Sequence, residues 1–247
     1  MIRGMFALAV LCLALPGWAG AAVTAESIID KVDENQTFDT EAFEATMVIR
    51  KGDRTLTKTF YGYGRWEGKT SFMAFTNPED RGVKYLKRDD ELWIYFPDAD
   101  DVMKISGHML RQGMMGSDIS YEDMLEEESL EETYASRRLE DEVVDGRPCY
   151  VVELTAKKPD VAYAKQRLAV DRTWYIPLRL ELYARGGRKL KEMTQEDVER
   201  VGDRWVPRKV TIRDLRRRDS ETVVTFDEIA FDVAVPDRVF TLGYLQR

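Results

Sequence analysis

Alternation of hydrophobic and polar positions dominates the pattern of this chain. From residue 43 onward, every second position is apolar over one short run: Phe43, Ala45, Met47 and Ile49. A turn at 51–54 then leads into a second segment of the same kind over 55–63. Alternation of this type is typical of β-strands that bury one face. The pattern therefore predicts a hairpin at the start of a mainly β protein.

Further strand-like segments follow at short intervals. They are predicted at 69–76, 83–87, 91–96, 102–105, 149–156, 166–171, 177–183, 189–197, 205–214 and 222–230. Turn signals such as Asn77-Pro78, Asp145-Gly146 and Gly186-Gly187 separate many of them. So many consecutive strands favour an antiparallel meander, and a strongly curved sheet or barrel avoids a long open edge.

Two helices interrupt the strand pattern. Residues 26–34 place Ile28, Ile29 and Val32 on one side, and Thr24 precedes them as an N-cap. A second helix is predicted over 120–136, where Ser120-Tyr-Glu-Asp123 fits a capping box. We find neither a linker nor an internal repeat, so residues 22–247 are expected to form one domain.

The first residues have the features of an export signal. Arg3 precedes the apolar run Met5–Leu15, and Ala19-Gly-Ala21 supplies a small-x-small cleavage pattern. A membrane anchor is the alternative, but this run is too short for a hydrocarbon core of about 30 Å. We expect residues 1–21 to be a cleaved signal peptide and the mature protein to be periplasmic.

The composition argues against several kinds of active site. The chain has one histidine and two cysteines, so a Ser-His-Asp or Cys-His site would depend on His108, and a zinc site with several such ligands is excluded. Paired carboxylates remain as an alternative, although nothing in the sequence places two of them across a cleft. Cys149 lies in a predicted strand and is expected to be a buried small hydrophobe. We expect a protein that is not an enzyme and that binds no metal or cofactor.

Charge gives a second exclusion and one open question. The net charge of −8 disfavours nucleic acid as a partner, because the phosphate backbone is also negative. The segment 204–218 is an exception, since it holds seven basic residues and a single acid, Asp214. Either these charges are compensated by acidic segments elsewhere, or they form a basic strip that meets anionic lipid or an acidic partner.

Aromatic residues and methionines crowd the first half of the mature chain. A curved sheet has a concave face that must be covered, and these side chains fill either a solid core or a cavity for an apolar ligand. The segment 112–117, with two glycines around Met114 and Met115, suits a mobile flap over that face. The candidate cavity residues are Phe43, Met47, Ile49, Phe60, Phe72, Trp93, Tyr95 and Met103.

One motif resembles a known family. The segment Gly116-Ser-Asp-Ile-Ser-Tyr-Glu-Asp123 is similar to the GSD-x-x-YED signature of the outer-membrane lipoprotein-sorting proteins of the LolA-like superfamily. The segments 77–83, 92–97, 163–167, 177–183 and 205–207 agree with the same family in the same order. The resemblance spans nearly the whole mature chain. It implies a half-open antiparallel β-barrel that encloses an apolar cavity for acyl chains under a helical lid.

The resemblance also implies a function. It implies a periplasmic carrier that takes a lipid or lipoprotein from an inner-membrane transporter of the RND or ABC type and passes it toward an outer-membrane acceptor. A LolA-like sensor or accessory subunit that acts through protein contacts is the alternative. The lipoprotein carrier itself grips its cargo with a cavity arginine, and Arg50 and Arg65 are candidates by location only.

The motif residues have two open roles. Asp118 would fix the loop before the predicted helix by accepting hydrogen bonds from backbone N–H groups, while Ser120 and Asp123 cap that helix. Tyr121 would line the cavity mouth. A structural role and direct ligand contact both remain open for the lid residues Met114, Met115, Gly116, Ser117, Asp118, Tyr121 and Asp123.

Overall fold

The computed structural model describes residues 23–125 and 129–247. Its main feature is one antiparallel sheet, which contains fourteen strands in the described part of the chain. The strands are β1 Thr40–Lys51, β2 Arg54–Arg65, β3 Thr70–Phe75, β4 Lys84–Arg88, β5 Glu91–Phe96, β6 Asp101–Ile105, β7 Tyr134–Arg138, β8 Glu142–Val144, β9 Arg147–Ala156, β10 Lys165–Asp171, β11 Pro177–Tyr183, β12 Lys189–Val201, β13 Arg204–Asp214 and β14 Ser220–Phe231.

The strand order explains the shape of the sheet. The neighbours run β6-β5-β4-β3-β2-β1-β14-β13-β12-β11-β10-β9-β7, and β8 pairs beside β7 on β9. The first and last strands of this path, β6 and β7, do not pair with each other, so the sheet curls without closing. The predicted mainly β fold with a half-open barrel is therefore confirmed. All twelve predicted strands are present, while β7 and β8 were missed.

The first helix matches its prediction. Helix α1 spans Ala25–Gln36, and the Thr24 side chain accepts a hydrogen bond from the N–H of Ser27 at 3.2 Å. Its apolar side packs on β9 and β10 in a cluster that includes Ile28, Ile29, Val152 and Leu168. Leu168 of β10 pairs with Val152 of β9, so the two side chains lie on the same face of the sheet. Helix α1 therefore covers the inner face of β9 and β10.

The second predicted helix was largely wrong. Residues 121–125 form turns, α2 is limited to Leu130–Thr133, and β7 begins at Tyr134. Tyr134 pairs with Ala156, so the edge of β9 provides hydrogen-bond partners for the backbone of 134–138. Pairing with the sheet thus replaces the continuation of the helix. The acidic residues 126–128 lie outside the described residues.

The remaining covering element comes from the last residues of the chain. A 3₁₀ helix at Asp237–Phe240 and helix α3 at Leu242–Leu245 pack on the outer face of β3–β5. Their Val239, Phe240 and Leu245 contact a cluster that contains Phe72 and Leu86. Strands β3–β5 are therefore buried on both faces.

Two expectations concern the membrane and the thiol. The predicted signal peptide, residues 1–21, lies outside the described residues. Within the described part, no helix is both long enough and apolar enough to cross a bilayer. Cys149 is fully buried, as expected, and burial raises the pKa of its thiol to about 11.

Candidate functional site

The inner face of the first half of the sheet is covered by residues 106–125, which we call the lid segment. It follows β6 and contains two short 3₁₀ helices, at Gly107–Arg111 and Met114–Gly116. Its apolar side chains pack against β1–β6 and β12–β14 in what we call the lid cluster. The sheet contributes Met47, Phe60 and Ile94 among others, while Met114 and Tyr121 enter from the lid segment.

Methionine is concentrated in this one place. Every methionine of the described residues belongs to the lid cluster or packs against it: Met47, Met73, Met103, Met109, Met114, Met115, Met124 and Met193. The cluster under α1 and the cluster under the chain's last residues contain none. Methionine has an unbranched, flexible side chain that adapts to different shapes. We therefore expect the interface between lid and sheet to adapt more readily than the rest of the core.

The expected open cavity is replaced by a packed interface. Met114 and Tyr121 are buried, and Met109, Met115 and Ile119 pack against the same cluster. Two surface clefts of about 420 Å³ and 470 Å³ lie elsewhere, one beside α1 and one on the outer face of β12–β14. The lid segment fills the concave face with its own side chains, so an acyl chain would have to displace them.

The predicted cavity residues lie on two faces. Met47, Ile49 and Phe60 are buried in the lid cluster, and Phe43 and Met103 pack against it. The other three predicted residues belong to the opposite, outer face under the chain's last residues: Phe72, Trp93 and Tyr95. Successive strand residues point to opposite faces, and the continuous apolar runs of β3 and β5 hid this division.

Neither candidate arginine reaches the lid cluster. Arg50 pairs with Glu221 at 2.8 Å on the outer face and is largely exposed. Arg65 donates to Asp237 at 2.8 Å and to the carbonyl of Val235, and it lies over the ring of Phe240. Arg65 therefore ties the chain's last segment to the sheet.

Asp118 forms the first of two polar anchors that hold the lid segment. Its carboxylate is buried and accepts hydrogen bonds from the hydroxyls of Ser220 and Thr222, each at 2.7 Å. It also accepts a longer bond from the backbone N–H of Asp214, while its own N–H donates to Thr222 Oγ1 at 2.9 Å. The sequence predicts hydrogen bonds from backbone N–H groups to Asp118; in the structure its main donors are the hydroxyls of Ser220 and Thr222, with one backbone N–H, that of Asp214.

Arginines from the β13–β14 turn reinforce this anchor. Arg217 donates to the carbonyl of Ser117, and Arg216 makes a two-pronged contact with Asp214 at 2.8 Å. Burial tends to raise the pKa of Asp214, but the hydrogen bonds and charge of Arg216 outweigh it, so the pKa is lowered. The carboxylate of Asp214 therefore stays charged beside the lid segment.

Lys191 and Asp123 form the second anchor. Lys191 is buried on the inner face of β12, and its ammonium group pairs with Asp123 and donates to Ser120 Oγ at 2.9 Å. Asp123 also accepts bonds from the hydroxyl of Tyr163 and from the N–H of Ser120, the latter at 2.6 Å. The sequence predicts a capping box at these residues, and one of its two contacts, from the N–H of Ser120 to the carboxylate of Asp123, is present.

The tyrosine of the motif points into the protein. The hydroxyl of Tyr121 lies 3.4 Å from that of Tyr85, and both rings are buried in the lid cluster. Burial, and then the neighbouring Tyr121 hydroxyl, raises the pKa of Tyr85. Glu122 is the next residue, and burial together with the adjacent Asp123 raises its pKa, although the nearby Lys191 acts in the opposite direction.

Similarity to known proteins agrees with this geometry. A family model described as “uncharacterized protein” matches residues 67–247. The chain belongs to this family. No curated protein is similar enough to the chain to count as a match. The fold of this chain is the LolA-like fold, which the resemblance of the motif predicts.

Three solved structures share this LolA-like fold over nearly their whole length. A DUF1329 family protein from Desulfovibrio piger is 27% identical, with a TM-score of 0.82 over 90% of this chain and 99% of that one. A domain described as an outer membrane lipoprotein-sorting protein, from Vibrio parahaemolyticus, is 22% identical, with a TM-score of 0.80 over 90% and 100%. A LolA superfamily protein from Nitrosomonas europaea is 24% identical, with a TM-score of 0.74 over 90% and 100%.

Several residues that hold the lid segment were missed by sequence reasoning. Lys191, Thr222 and Tyr163 complete the two anchors, yet each lies far along the chain from the motif. The one available signal was a lysine two positions before Met193, on the face that alternation predicts to be buried. Among residues 23–125 and 129–247, no three His, Cys, Asp or Glu side chains are grouped to hold a metal ion.

Proposed function

We propose that this protein is a non-enzymatic periplasmic carrier that binds acyl chains of a lipid or lipoprotein between the curled sheet and the lid segment. It would receive them from an inner-membrane transporter of the RND or ABC type and pass them toward an outer-membrane acceptor. The observation that carries this proposal is the convergence of all eight described methionines at one lid-covered interface. A core that only needs to be stable has no reason to collect its flexible side chains in one place.

The energetics suit reversible binding. Burying a methylene group contributes about 0.8 kcal/mol, so a partly enclosed acyl chain gains useful affinity. Displacing the lid residues costs part of this gain, because their own apolar surface is already buried against the sheet. The two polar anchors hold Asp118 and Asp123, while Met109, Met114 and Met115 precede both anchors and would shift to admit the acyl chain. Such a lid favours an affinity that is tight enough for transport and weak enough for release.

The descriptions of two similar structures support the same function. One is described as an outer membrane lipoprotein-sorting protein and one as a LolA superfamily protein. These structures are 22% and 24% identical to this chain, so the similarity supports the fold only. The proposal of an acyl ligand depends on the methionine interface.

A direct test is to purify the protein from its periplasmic location and analyse extracted lipids by mass spectrometry. We expect bound lipid and saturable binding of a fluorescent fatty acid by the delipidated protein. Protein that is repeatedly free of lipid, and that also fails to bind the fluorescent fatty acid, would contradict the proposal.

A matched pair of variants tests the role of the methionines. Leucine has nearly the same volume as methionine, so replacing the lid-interface methionines should cost little stability. We expect the combined Met103→Leu, Met109→Leu, Met114→Leu and Met115→Leu variant to bind the fatty acid at least about fivefold more weakly, because branched side chains adapt less. The control, Leu86→Met in the outer cluster, should leave binding unchanged. Equal binding by all three proteins would argue against the methionine interface as the ligand site.

The packed interface also favours a second candidate, a sensor or accessory subunit that acts through protein contacts. In that case the lid segment would stay closed and the protein would never carry lipid. Pull-down from periplasmic extract, run beside the fatty-acid assay, separates the two functions. A stable protein partner together with an absence of lipid binding would favour this alternative.

A further inference from the structure

The basic strip of residues 204–218 is mostly neutralised in the folded protein. Arg204 pairs with Asp232, Arg208 with Glu199, and Lys209 with Glu196. Arg213 pairs with Glu221, and two arginines of the following turn are engaged by Asp214. The strands of this strip therefore carry little free positive charge, and the hypothesis of a continuous basic surface along the strip is wrong.

Free positive charge is found instead at one end of the sheet. The β1–β2, β11–β12 and β13–β14 turns lie side by side, because β1, β14, β13, β12 and β11 are consecutive neighbours in the sheet. Together the segments 51–54, 184–188 and 215–219 hold seven cations and two acids. Five of these cations are exposed and form no ion pair within the described residues. We call them the basic rim: Lys51, Arg54, Arg185, Arg188 and Arg218.

The charge distribution is polarised along the strands. The turns at the opposite end, at 66–69, 89–90, 145–146, 172–176 and 202–203, hold two cations and five acids. On the rim's own end, the loops after β3 and β5 are acidic, whereas the β9–β10 loop at 157–164 holds two lysines and one acid. The positive charge at this end therefore extends from the β1–β2 turn to the β9–β10 loop. An acidic protein with one basic end approaches a negative surface in a single orientation.

Two exposed leucines lie within the same end. Leu56 at the start of β2 is 51% exposed, and Leu215 at the end of β13 is 49% exposed. Apolar side chains among cations suit the boundary between headgroups and acyl chains of a bilayer. The combination of unpaired cations with exposed leucines therefore favours a lipid surface as the partner.

The basic rim adjoins the lid segment. Lys51 Nζ lies 3.5 Å from the position that a Cβ atom on Gly116 would occupy. Arg217, in the same turn as Arg218, donates to the carbonyl of Ser117. The basic rim therefore lies beside Gly116 and Ser117, directly after Met114 and Met115 in the lid segment.

We propose that the basic rim docks this protein on a membrane surface that contains anionic phospholipid, with the lid segment facing the bilayer. The inference extends the proposed carrier function by naming the place where acyl chains enter and leave. Docking uses charge, while carriage uses the methionine interface, so each can fail without the other.

The test is co-sedimentation of the mature protein with two kinds of vesicle, phosphatidylcholine mixed with phosphatidylglycerol and phosphatidylcholine alone. We expect preferential, salt-sensitive binding to the mixed vesicles. The Lys51→Glu, Arg54→Glu and Arg218→Glu variant should lose at least about tenfold in partitioning, since each basic side chain near an anionic surface contributes to binding. Its binding of the fluorescent fatty acid in solution should be retained.

The matched control reverses the same number of charges away from the rim. Arg88, Arg200 and Arg238 are exposed and form no ion pair within the described residues. Their combined change to Glu should lower vesicle binding far less than the rim variant does. Equal losses in the two variants, equal binding to both kinds of vesicle, or binding that depends only on an added acidic protein would overturn the docking proposal. Loss of fatty-acid binding with vesicle docking retained would instead count against the carrier function.

Discussion

At the residue scale, Lys191 is one of two lysines in the described residues that are only 1% exposed. Its ammonium group is buried on the inner face of the sheet and is satisfied by Asp123 and Ser120. A charge in such a place is tolerated only when its partners are held in position. Asp123 and Ser120 stabilise the buried charge of Lys191, and Lys191 in turn holds these two residues of the lid segment against the sheet.

Replacing Lys191 should be costly. In Lys191→Met the carboxylate of Asp123 keeps Tyr163 and Ser120 but loses its counter-ion, and we expect the free energy of unfolding to fall by about 3 kcal/mol. Urea denaturation measures this change. Lys104→Met is the control, because the Lys104–Glu91 pair is about half exposed and should be worth less than about 1 kcal/mol.

The pair can also be tested by a double-mutant cycle. If Lys191→Met combined with Asp123→Asn costs much less than the sum of the single changes, the two residues are coupled. Additive losses would show that Lys191 contributes by packing rather than through its contact with Asp123.

At the element scale, the lid segment is an irregular strap rather than a helix. Its 3₁₀ helices are short, Met115 has a φ of 48°, and its polar contacts concentrate at Asp118 and Asp123. Few backbone hydrogen bonds join it to the sheet, so its opening is expected to cost less than global unfolding. A strap of this kind can move while the curled sheet stays intact.

Weakening one anchor should increase opening of the lid segment. In Thr222→Val, the carboxylate of Asp118 loses a donor and its backbone N–H loses an acceptor. Loss of such contacts costs about 1–3 kcal/mol, so amide exchange over 106–125 should accelerate about tenfold or more. Hydrogen exchange with mass spectrometry measures this rate. Thr46→Val, whose hydroxyl contacts Asp227 on the surface, should leave it unchanged.

At the scale of the whole molecule, ion pairs and hydrogen bonds of acidic side chains make the stability depend on pH. Several acids are held in their charged form, among them Asp171, Asp214, Glu181 and Glu221. For Asp171, burial tends to raise the pKa, but hydrogen bonds from Arg147 and from the N–H groups of Trp174 and Thr173 outweigh it. The pKa of each of these four groups is therefore lower in the folded protein than in the unfolded chain.

This sign predicts acid destabilisation. A group with a lowered folded pKa contributes its full stability above its unfolded pKa, about 4, and loses it as the pH falls through the folded pKa. The free energy of unfolding should thus fall steadily below about pH 5, as measured by denaturant titration at each pH. Asp171→Asn should reduce this slope. An unchanged slope in the variant would exclude Asp171 as a main contributor.

The sequence by itself determined twelve of the fourteen strands, the first helix and the burial of Cys149, and it offered an anchoring role for Asp118 beside the alternative of ligand contact. These features depend on local periodicity, local capping or a short motif, which are written in neighbouring residues. It did not separate Phe72, Trp93 and Tyr95 from the lid cluster, because β3–β5 are apolar on both faces and alternation is then invisible.

Only the tertiary structure decided how distant segments meet. It replaced most of the predicted helix at 120–136 by turns and an edge strand, since the edge of β9 offered hydrogen bonds to β7. In the folded chain, Lys191 and Thr222 contact the motif, and the methionines lie together under the lid segment. The cations of the basic rim, which form no ion pair within the described residues, lie on three neighbouring turns, while most of those in the strip at 204–218 are paired. Strand order and pairing partners set all of these contacts. These contacts depend on which strands pair and in which register, and residues far apart in the sequence decide both.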